Sequence, residues 1–472
     1  MRLRARAAVI AAALAAGVIG AVAYVGAQAP AAAGQWKQVA YLKASNPVED
    51  AHFGCGGTLT GHAGNASAIS ADGTTLAVGA PHENSGARGI NGNQNDHSAY
   101  SAGAVYVFTR KGNALVQQAY IKPASPGEHA NFGSSVALSR DGNTLAVAAY
   151  YESSAATGIN GNEDDRSIPE AGAVYIFVRT GTAWSQQAYI KASNTGTAAA
   201  GDNIAEGDQF GYSIALSADG NTLAVGAIGE DSNATGINGN QADNSANQAG
   251  AEYVFARTGT TWSQQAYVKS TMTRPNVLFG YSTGISGDGN TLVVGEYDAD
   301  RGKGALYVLT RTAGVWSHQA RIQAENAEAQ DSLGYSLALS EDGNTIASGA
   351  ADEDCMKPGI NPTGCENDQA SNTSSGAAYV FVRNGTTWTQ QVFMKASNPG
   401  KEDWFGVRIA ISGDGNTVAV GAQNEDSAAK GINGKQDDDS APEAGAVYVF
   451  TRTGTTWVQH AYVKASNTTA GD

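Results

Sequence analysis

Oxygen-rich loops are the part of this sequence best equipped for chemistry. Four times an acid with a Ser close behind leads into G-I-N-G-N-x-x-D-x-S or a near variant: Glu83 with Gly89 to Ser98, Glu152 with Gly158 to Ser167, Glu230 with Gly236 to Ser245, and Glu425 with Gly431 to Ser440. Amide and carboxylate oxygens at this spacing can surround a hard cation such as calcium. The ligands would be Asn91, Asn93, Asp96, Asn160, Asn162, Asp165, Asn238, Asn240 and Asp243. The same residues also suit a conformational role, because Asn-Gly tolerates left-handed backbone and Asx side chains bond local amides. Lys435, standing at a ligand position in the fourth copy, counts against a site common to all.

Such loops need a scaffold, and the chain supplies one by repetition. An Asp-Gly step recurs at Asp72, Asp141, Asp219, Asp288, Asp342 and Asp414, inside a line that reads FGYSIALSADGNTLAVGA in its third copy. A long internal period marks a repeat architecture and has to be read before any local element. Four runs per copy (YSIALS, TLAVGA, AEYVFAR and WSQQAYVK in the third) are rich in β-branched and aromatic residues with partial alternation. Asp219-Gly220 suits a two-residue hairpin between the first pair, and short Thr-Gly turns join the last pair. Four antiparallel strands, repeated, predict an all-β fold, a β-propeller of four-stranded blades, as one domain over 35–472. Residues 35–43 match a fourth strand without its blade. They predict a seven-bladed design whose last blade is incomplete in this chain; the alternative is a six-bladed closed ring with a surplus edge strand.

In a four-stranded meander the second-to-third loops and the blade connections share one rim, so the oxygen-rich loops belong to one face. The fourth copy shortens its loop to residues 296–300, and the fifth replaces the motif with DCMKPGINPTGC, where Cys355 and Cys365 predict a disulfide. Two thiols fall short of the four ligands that structural zinc takes. Trp36, Trp184, Trp262, Trp316, Trp388 and Trp457 open the fourth strands, with Leu115 in the remaining copy. They could stack sugars, but a position that accepts Leu reads as packing between blades. Trp404 stands outside the pattern and is the better platform. Lys43, Lys122, Lys191, Lys269, Lys395 and Lys464 read as solvated charges on the outer strand.

Phe-Gly opens the copies at Phe53-Gly54, Phe132-Gly133, Phe210-Gly211, Phe279-Gly280 and Phe405-Gly406, with Leu333-Gly334 deviating. Gly79-Ala80-Pro81 is complete once, and Gly226-Ala227, Gly349-Ala350 and Gly421-Ala422 are relaxed versions. These pairs resemble the FG-GAP repeat family, best known from the β-propeller heads of integrin α subunits. The resemblance implies a propeller and often extracellular adhesion or ligand binding, and it names no ligand. Integrin-type calcium loops lie between the first and second strands. Here that connection is only Ser-Ala-Asp-Gly-Asn or a near variant, too short to surround calcium, so those sites are not carried over.

MRLRAR followed by AAVIAAALAAGVIGAVAYVGAQA has the layout of a secretory signal peptide over 1–33, cleaved after Ala27 or Ala33. Left uncleaved, it would anchor the chain in a membrane. Export implies a secreted, periplasmic or cell-surface protein. Lys plus Arg number 29 against 44 Asp plus Glu, a net charge of −15 over 472 residues, which disfavours nucleic acid and anionic membranes as partners. Residues 83–96, 151–171, 228–248, 296–300, 352–368 and 423–443 hold 24 of those acids and only five bases. The seven His (52, 62, 82, 97, 129, 318 and 460) are scattered, and there is no Walker loop, dinucleotide fingerprint or HExxH. The one asymmetric insertion lies between Phe53 and Asp72 and includes His62. The chain reads as an exported, non-catalytic FG-GAP propeller, without a cofactor unless calcium, binding an extracellular protein or glycan through its acidic long-loop face. A carbohydrate-binding, lectin-like propeller is the alternative, with a propeller hydrolase or lyase behind it.

Overall fold

The strand runs of the repeat become six four-stranded antiparallel sheets, at 67–121, 136–190, 210–268, 279–322, 333–394 and 405–463, each a meander in chain order. The computed structural model describes residues 9–12, 22–25, 36–48, 50–55, 64–196, 207–365 and 373–471. In the third blade the strands are Phe210–Leu216, Thr222–Ala227, Ala251–Thr258 and Thr261–Val268. Every residue of its second strand is buried, as a strand with neighbouring blades on both faces must be. First strands of successive blades pack on one another around the axis.

The glycine pairs that define the repeat meet across blade boundaries. A Cβ on Gly226 would lie 2.1 Å from the carbonyl oxygen of Gly280 in the next blade, and one on Gly79 would lie 1.9 Å from that of Gly133. Only glycine permits this approach. The Asp-Gly turn is longer than two residues: strands end at Leu216 and resume at Thr222, and Gly220 takes a positive φ of 70°. Asp219 closes it by accepting from Ser217 Oγ at 2.6 Å and Asn221 N at 2.9 Å, a side-chain mimic of a backbone turn.

Asn221 accepts in turn from Arg257 Nε, whose guanidinium reaches Gln187 and Thr144 of the preceding blade. Trp262 donates Nε1 to the same Gln187 at 3.1 Å, beneath the guanidinium 5.3 Å away. The Trp–Gln bond recurs at Trp184–Gln118, Trp316–Gln265, Trp388–Gln319 and Trp457–Gln391. The repeated tryptophans are therefore bolts between blades.

Six blades stand in the ring, matching the six-bladed alternative rather than the seven-bladed design. Residues 36–43 form only a bridge at Gln38, because none of the described residues supplies a third strand for them to pair with. They pack across the seam instead: Trp36 sits edge-on to His460 of the sixth blade at 6.3 Å, and Leu42 and Ala44 join the first blade's core. A hairpin of Val9–Ala12 with Val22–Val25 precedes them. The expected cleavage points Ala27 and Ala33, and the insertion at His62, lie outside the described residues. Among the described residues no helix is long and apolar enough to cross a membrane.

Candidate functional site

Each long loop is tied down where it leaves the second strand. In the third blade Glu230 and Lys269 are both buried, with Nζ donating to Oε2 at 2.6 Å. Glu230 Oε1 also accepts from Tyr267 OH at 2.7 Å and Asn194 Nδ2 at 3.1 Å, and Oε2 from Ser232 N at 3.2 Å. The pair recurs as Lys122–Glu83 at 3.0 Å, Lys191–Glu152 at 2.8 Å, Lys464–Glu425 at 2.7 Å, and Lys395–Glu353. These lysines are thus not solvated, contrary to the expectation: they face inward beneath the loop, where a buried carboxylate needs a buried cation. Burial pulls the ammonium groups of Lys122, Lys191, Lys269 and Lys464 below their usual range. Lys43 alone of the set is exposed. In the fourth blade a tight turn over Ala299–Gly302, with Asp300 and Arg301 at positive φ, replaces the loop, and Asp300 accepts from Arg321 at 2.7 Å and Gln323 at 3.1 Å.

The Gly-Ile-Asn segment then doubles back along the fourth strand. Ile237 bridges Val268, while Asn238, at φ 57°, accepts Tyr267 N on Oδ1 at 3.0 Å and donates its own N–H to Tyr267 O at 2.7 Å. Asn91, Asn160 and Asn433 do the same with Tyr120, Tyr189 and Tyr462. The clip covers part of an exposed sheet edge. It survives in the fifth blade, where Asn361 Oδ1 accepts Phe393 N at 2.8 Å, so the Cys loop modifies the motif rather than replacing it. Gly359-Ile360-Asn361 was the signal in the sequence. Cys355 and Cys365 form a disulfide around it.

The remaining candidate ligands also turn toward local backbone. Asn93, Asn162 and Asn240 accept the N–H two residues on, each at 3.1 Å. Asp96, Asp165 and Asp243 accept from the N–H of Ser98, Ser167 and Ser245 at 3.1, 3.0 and 3.0 Å. Each trio shares one loop, with its first Asn bound to the strand. Among the described residues no group of three or more His, Cys, Asp or Glu is arranged to hold a metal.

At the axial end of this face, Tyr212, Tyr281 and Tyr335 from first strands meet Tyr150, Tyr151, Tyr297 and Trp404 in one cluster. Trp404, Tyr151 and Tyr297 are half-buried and leave ring surface open. Beside them burial, reinforced by Glu425, Asp426 and Asp439, pushes the Asp403 carboxyl up to about 7 against the opposing Gly400 N–H. Burial also raises Asp208, Asp352 and Glu163.

The FG-GAP repeat family description matches residues 388–450, from the fourth strand of blade five into the third of blade six. No curated protein matches the chain. Among solved structures, the periplasmic gluconolactonase PpgL of Pseudomonas aeruginosa is similar at 14% identity and TM-score 0.53, over 98% of this chain and 97% of that one. The β-propeller domain of Myceliophteria thermophila Cps50 (Swd1) aligns at 11% identity and TM-score 0.41, over 84% and 86%. TolB of Acinetobacter baumannii aligns at 12% and 0.36, over 78% and 61%. At these identities the first likeness is one of fold. With six blades repeating the strands of the matched segment, the chain is a β-propeller that carries an FG-GAP repeat at residues 388–450.

Proposed function

We propose that this protein is an exported, non-catalytic binding module that takes a basic protein surface on its acidic long-loop face, without a resident cofactor. The carrying observation is rigid display of acid. Five loops are pinned by buried Glu–Lys pairs, while Asp164, Asp437, Asp439 and Glu443 stay exposed on them. Engagement of the Asn and Asp oxygens by backbone supports binding without calcium, and the basic, apolar N-terminus supports export. Binding of a lysine-rich peptide, followed by fluorescence anisotropy, tests the proposal. Affinity should fall at least about tenfold between roughly 50 and 500 mM salt, and again in Asp437→Asn/Asp439→Asn/Glu443→Gln. No binding at low salt, or equal binding by that variant, would sink it. The aromatic cluster at Trp404 favours a second reading, a stacked sugar ring; glycan-array binding lost in Trp404→Ala would select it.

A further inference from the structure

Chemistry of a different kind lies on the ring axis. At one repeat position on four successive first strands stand Ser135, Ser213, Ser282 and Ser336, which close with Asn65 and Thr283 on a cavity of about 10 Å³. That is room for about one water molecule or one bare ion. Three of the hydroxyls have a backbone carbonyl within reach of their only proton. Ser213 donates to Gly280 O at 2.8 Å, Ser282 to Gly334 O at 2.6 Å, and Ser336 to Gly406 O at 2.7 Å. Their oxygens can thereafter only accept, so the cavity suits a guest that donates or carries positive charge.

Two departures from the repeat meet here. Glu252 stands where the other blades carry Val105, Val174, Leu306, Ala378 and Val447, and Thr283 stands where three others carry Ile214, Leu337 and Ile409. Glu252 is fully buried, its Oε2 accepts from Thr283 Oγ1 at 2.8 Å, and Thr283 Oγ1 lies 2.9 Å from Ser213 Oγ. Among the described residues Oε1 has no hydrogen-bond partner. The residues paired with Glu252 across the sheet, Gly226 and Val268, carry no charge. Burial raises its carboxyl well above the usual carboxylate range, against the opposing Thr283 bond, so without a counter-charge it holds a proton.

Counting protons along this chain gives two states that engage every oxygen. With Glu252 ionised and the cavity empty, Thr283 donates to Glu252 and the single Ser213 proton serves either Gly280 O at 2.8 Å or Thr283 Oγ1 at 2.9 Å, so one of those two bonds is lost. One added proton removes the conflict, because donation then runs from Glu252 to Thr283, to Ser213, to Gly280. A cation shared by the Ser213 and Thr283 oxygens removes it equally well and balances the carboxylate.

We propose that the propeller axis holds one dehydrated monovalent cation of sodium size, bound by the oxygens of Ser213, Thr283, Ser282 and Ser336 and balanced by Glu252. A divalent ion would leave one buried charge uncompensated, and an alkylammonium exceeds the cavity. Cation and proton exclude one another, so binding releases one proton and strengthens as pH rises.

Denaturant unfolding of the full chain in sodium chloride against choline chloride at equal ionic strength tests this. Each tenfold rise in sodium above its dissociation constant should add about 1.4 kcal/mol to the unfolding free energy, with a larger effect at about pH 8 than at about pH 5. Glu252→Gln should abolish both dependences. Glu252→Val with Thr283→Ile, which restores the repeat, should do the same and serves if Glu252→Gln folds poorly. Equal stability of the parent in sodium and choline at both pH values overturns the proposal, as does a sodium effect that persists in these variants.

Discussion

Replacing Glu230 by Gln probes the loop anchor most directly. The carboxylate receives four donors: Lys269 Nζ at 2.6 Å, Tyr267 OH at 2.7 Å, Asn194 Nδ2 at 3.1 Å and Ser232 N at 3.2 Å. Among the described residues Lys269 Nζ, by contrast, is held by Glu230 alone. Removing the charge of one partner in a buried pair costs about 3–5 kcal/mol, and Glu230→Gln leaves an ammonium facing a neutral amide. Lys269→Met leaves the carboxylate with three donors, each charge-assisted bond worth about 1.5–3 kcal/mol, so its cost should fall at or below the lower end of that range. The double variant buries no charge and should come within about 2 kcal/mol of the parent. In Glu230→Gln the folded state also releases the lysine proton, which the unfolded chain keeps until about pH 10. The unfolded state then binds more protons, so stability rises with pH from the depressed folded value toward about 10. Urea midpoints at about pH 7 and about pH 9.5 should show Glu230→Gln recovering ground that the double variant does not. A cost below about 1 kcal/mol for Glu230→Gln, or a double variant as damaged as the worse single, would refute the buried-pair account.

Asp403 behaves oppositely. Its folded carboxyl, pushed up to about 7, holds a proton that the unfolded chain releases near pH 4, so the folded state binds more protons and its contribution falls as pH rises from about 4 to about 7. Asp403→Asn should flatten that slope by up to about 4 kcal/mol, read from urea midpoints at about pH 5 and about pH 8; an unchanged slope would count against the assigned burial. Cys355→Ser with Cys365→Ser opens a loop whose ends are ten residues apart and should cost about 2–3 kcal/mol, matched in the parent by adding reductant.

The blades were legible because strand signals repeat: hydrophobic runs, Asp-Gly turns and Phe-Gly pairs recur in register, and a repeat must stack on copies of itself to bury its faces. The lysines were misread from their type, although their spacing held the answer. Tyr267 and Lys269 are two apart on one strand and so share a face, and a face that buries Tyr267 buries Lys269 too. The fourth copy carried the same message: Ala299 stands at the glutamate position, the Tyr and Lys positions become Arg321 and Gln323, and both bond Asp300 one residue along. Blade number is a different matter. Residues 36–43 have a fourth strand's sequence, but strand state depends on a partner, and a pattern along one segment does not reveal what lies beside it. Glu252 was visible as a departure from the repeat, yet its meaning required Thr283, which lies 31 positions away in the next blade.

Buried pairing also changes what the acidic loops present to a partner. The second-to-third loops hold 24 acids and five bases, but five loop-opening glutamates are balanced by lysines from the fourth strands. Counting those lysines leaves the face about 14 charges negative. The acids removed are those nearest the strands; those remaining at the surface, such as Asp437 and Asp439, lie farther along the loops. Their field fades over about 8 Å at physiological ionic strength, so it acts on a surface that is already close. The fourth blade, with a tight turn over Ala299–Gly302 in place of its loop, interrupts the acidic rim at one position. A basic surface laid on five loops and one gap has a preferred rotation about the axis, which a uniform ring of charge would not provide. Grafting a third-blade loop onto blade four would therefore add charge and remove orientation. Tighter but less selective binding of basic peptides would separate the two contributions.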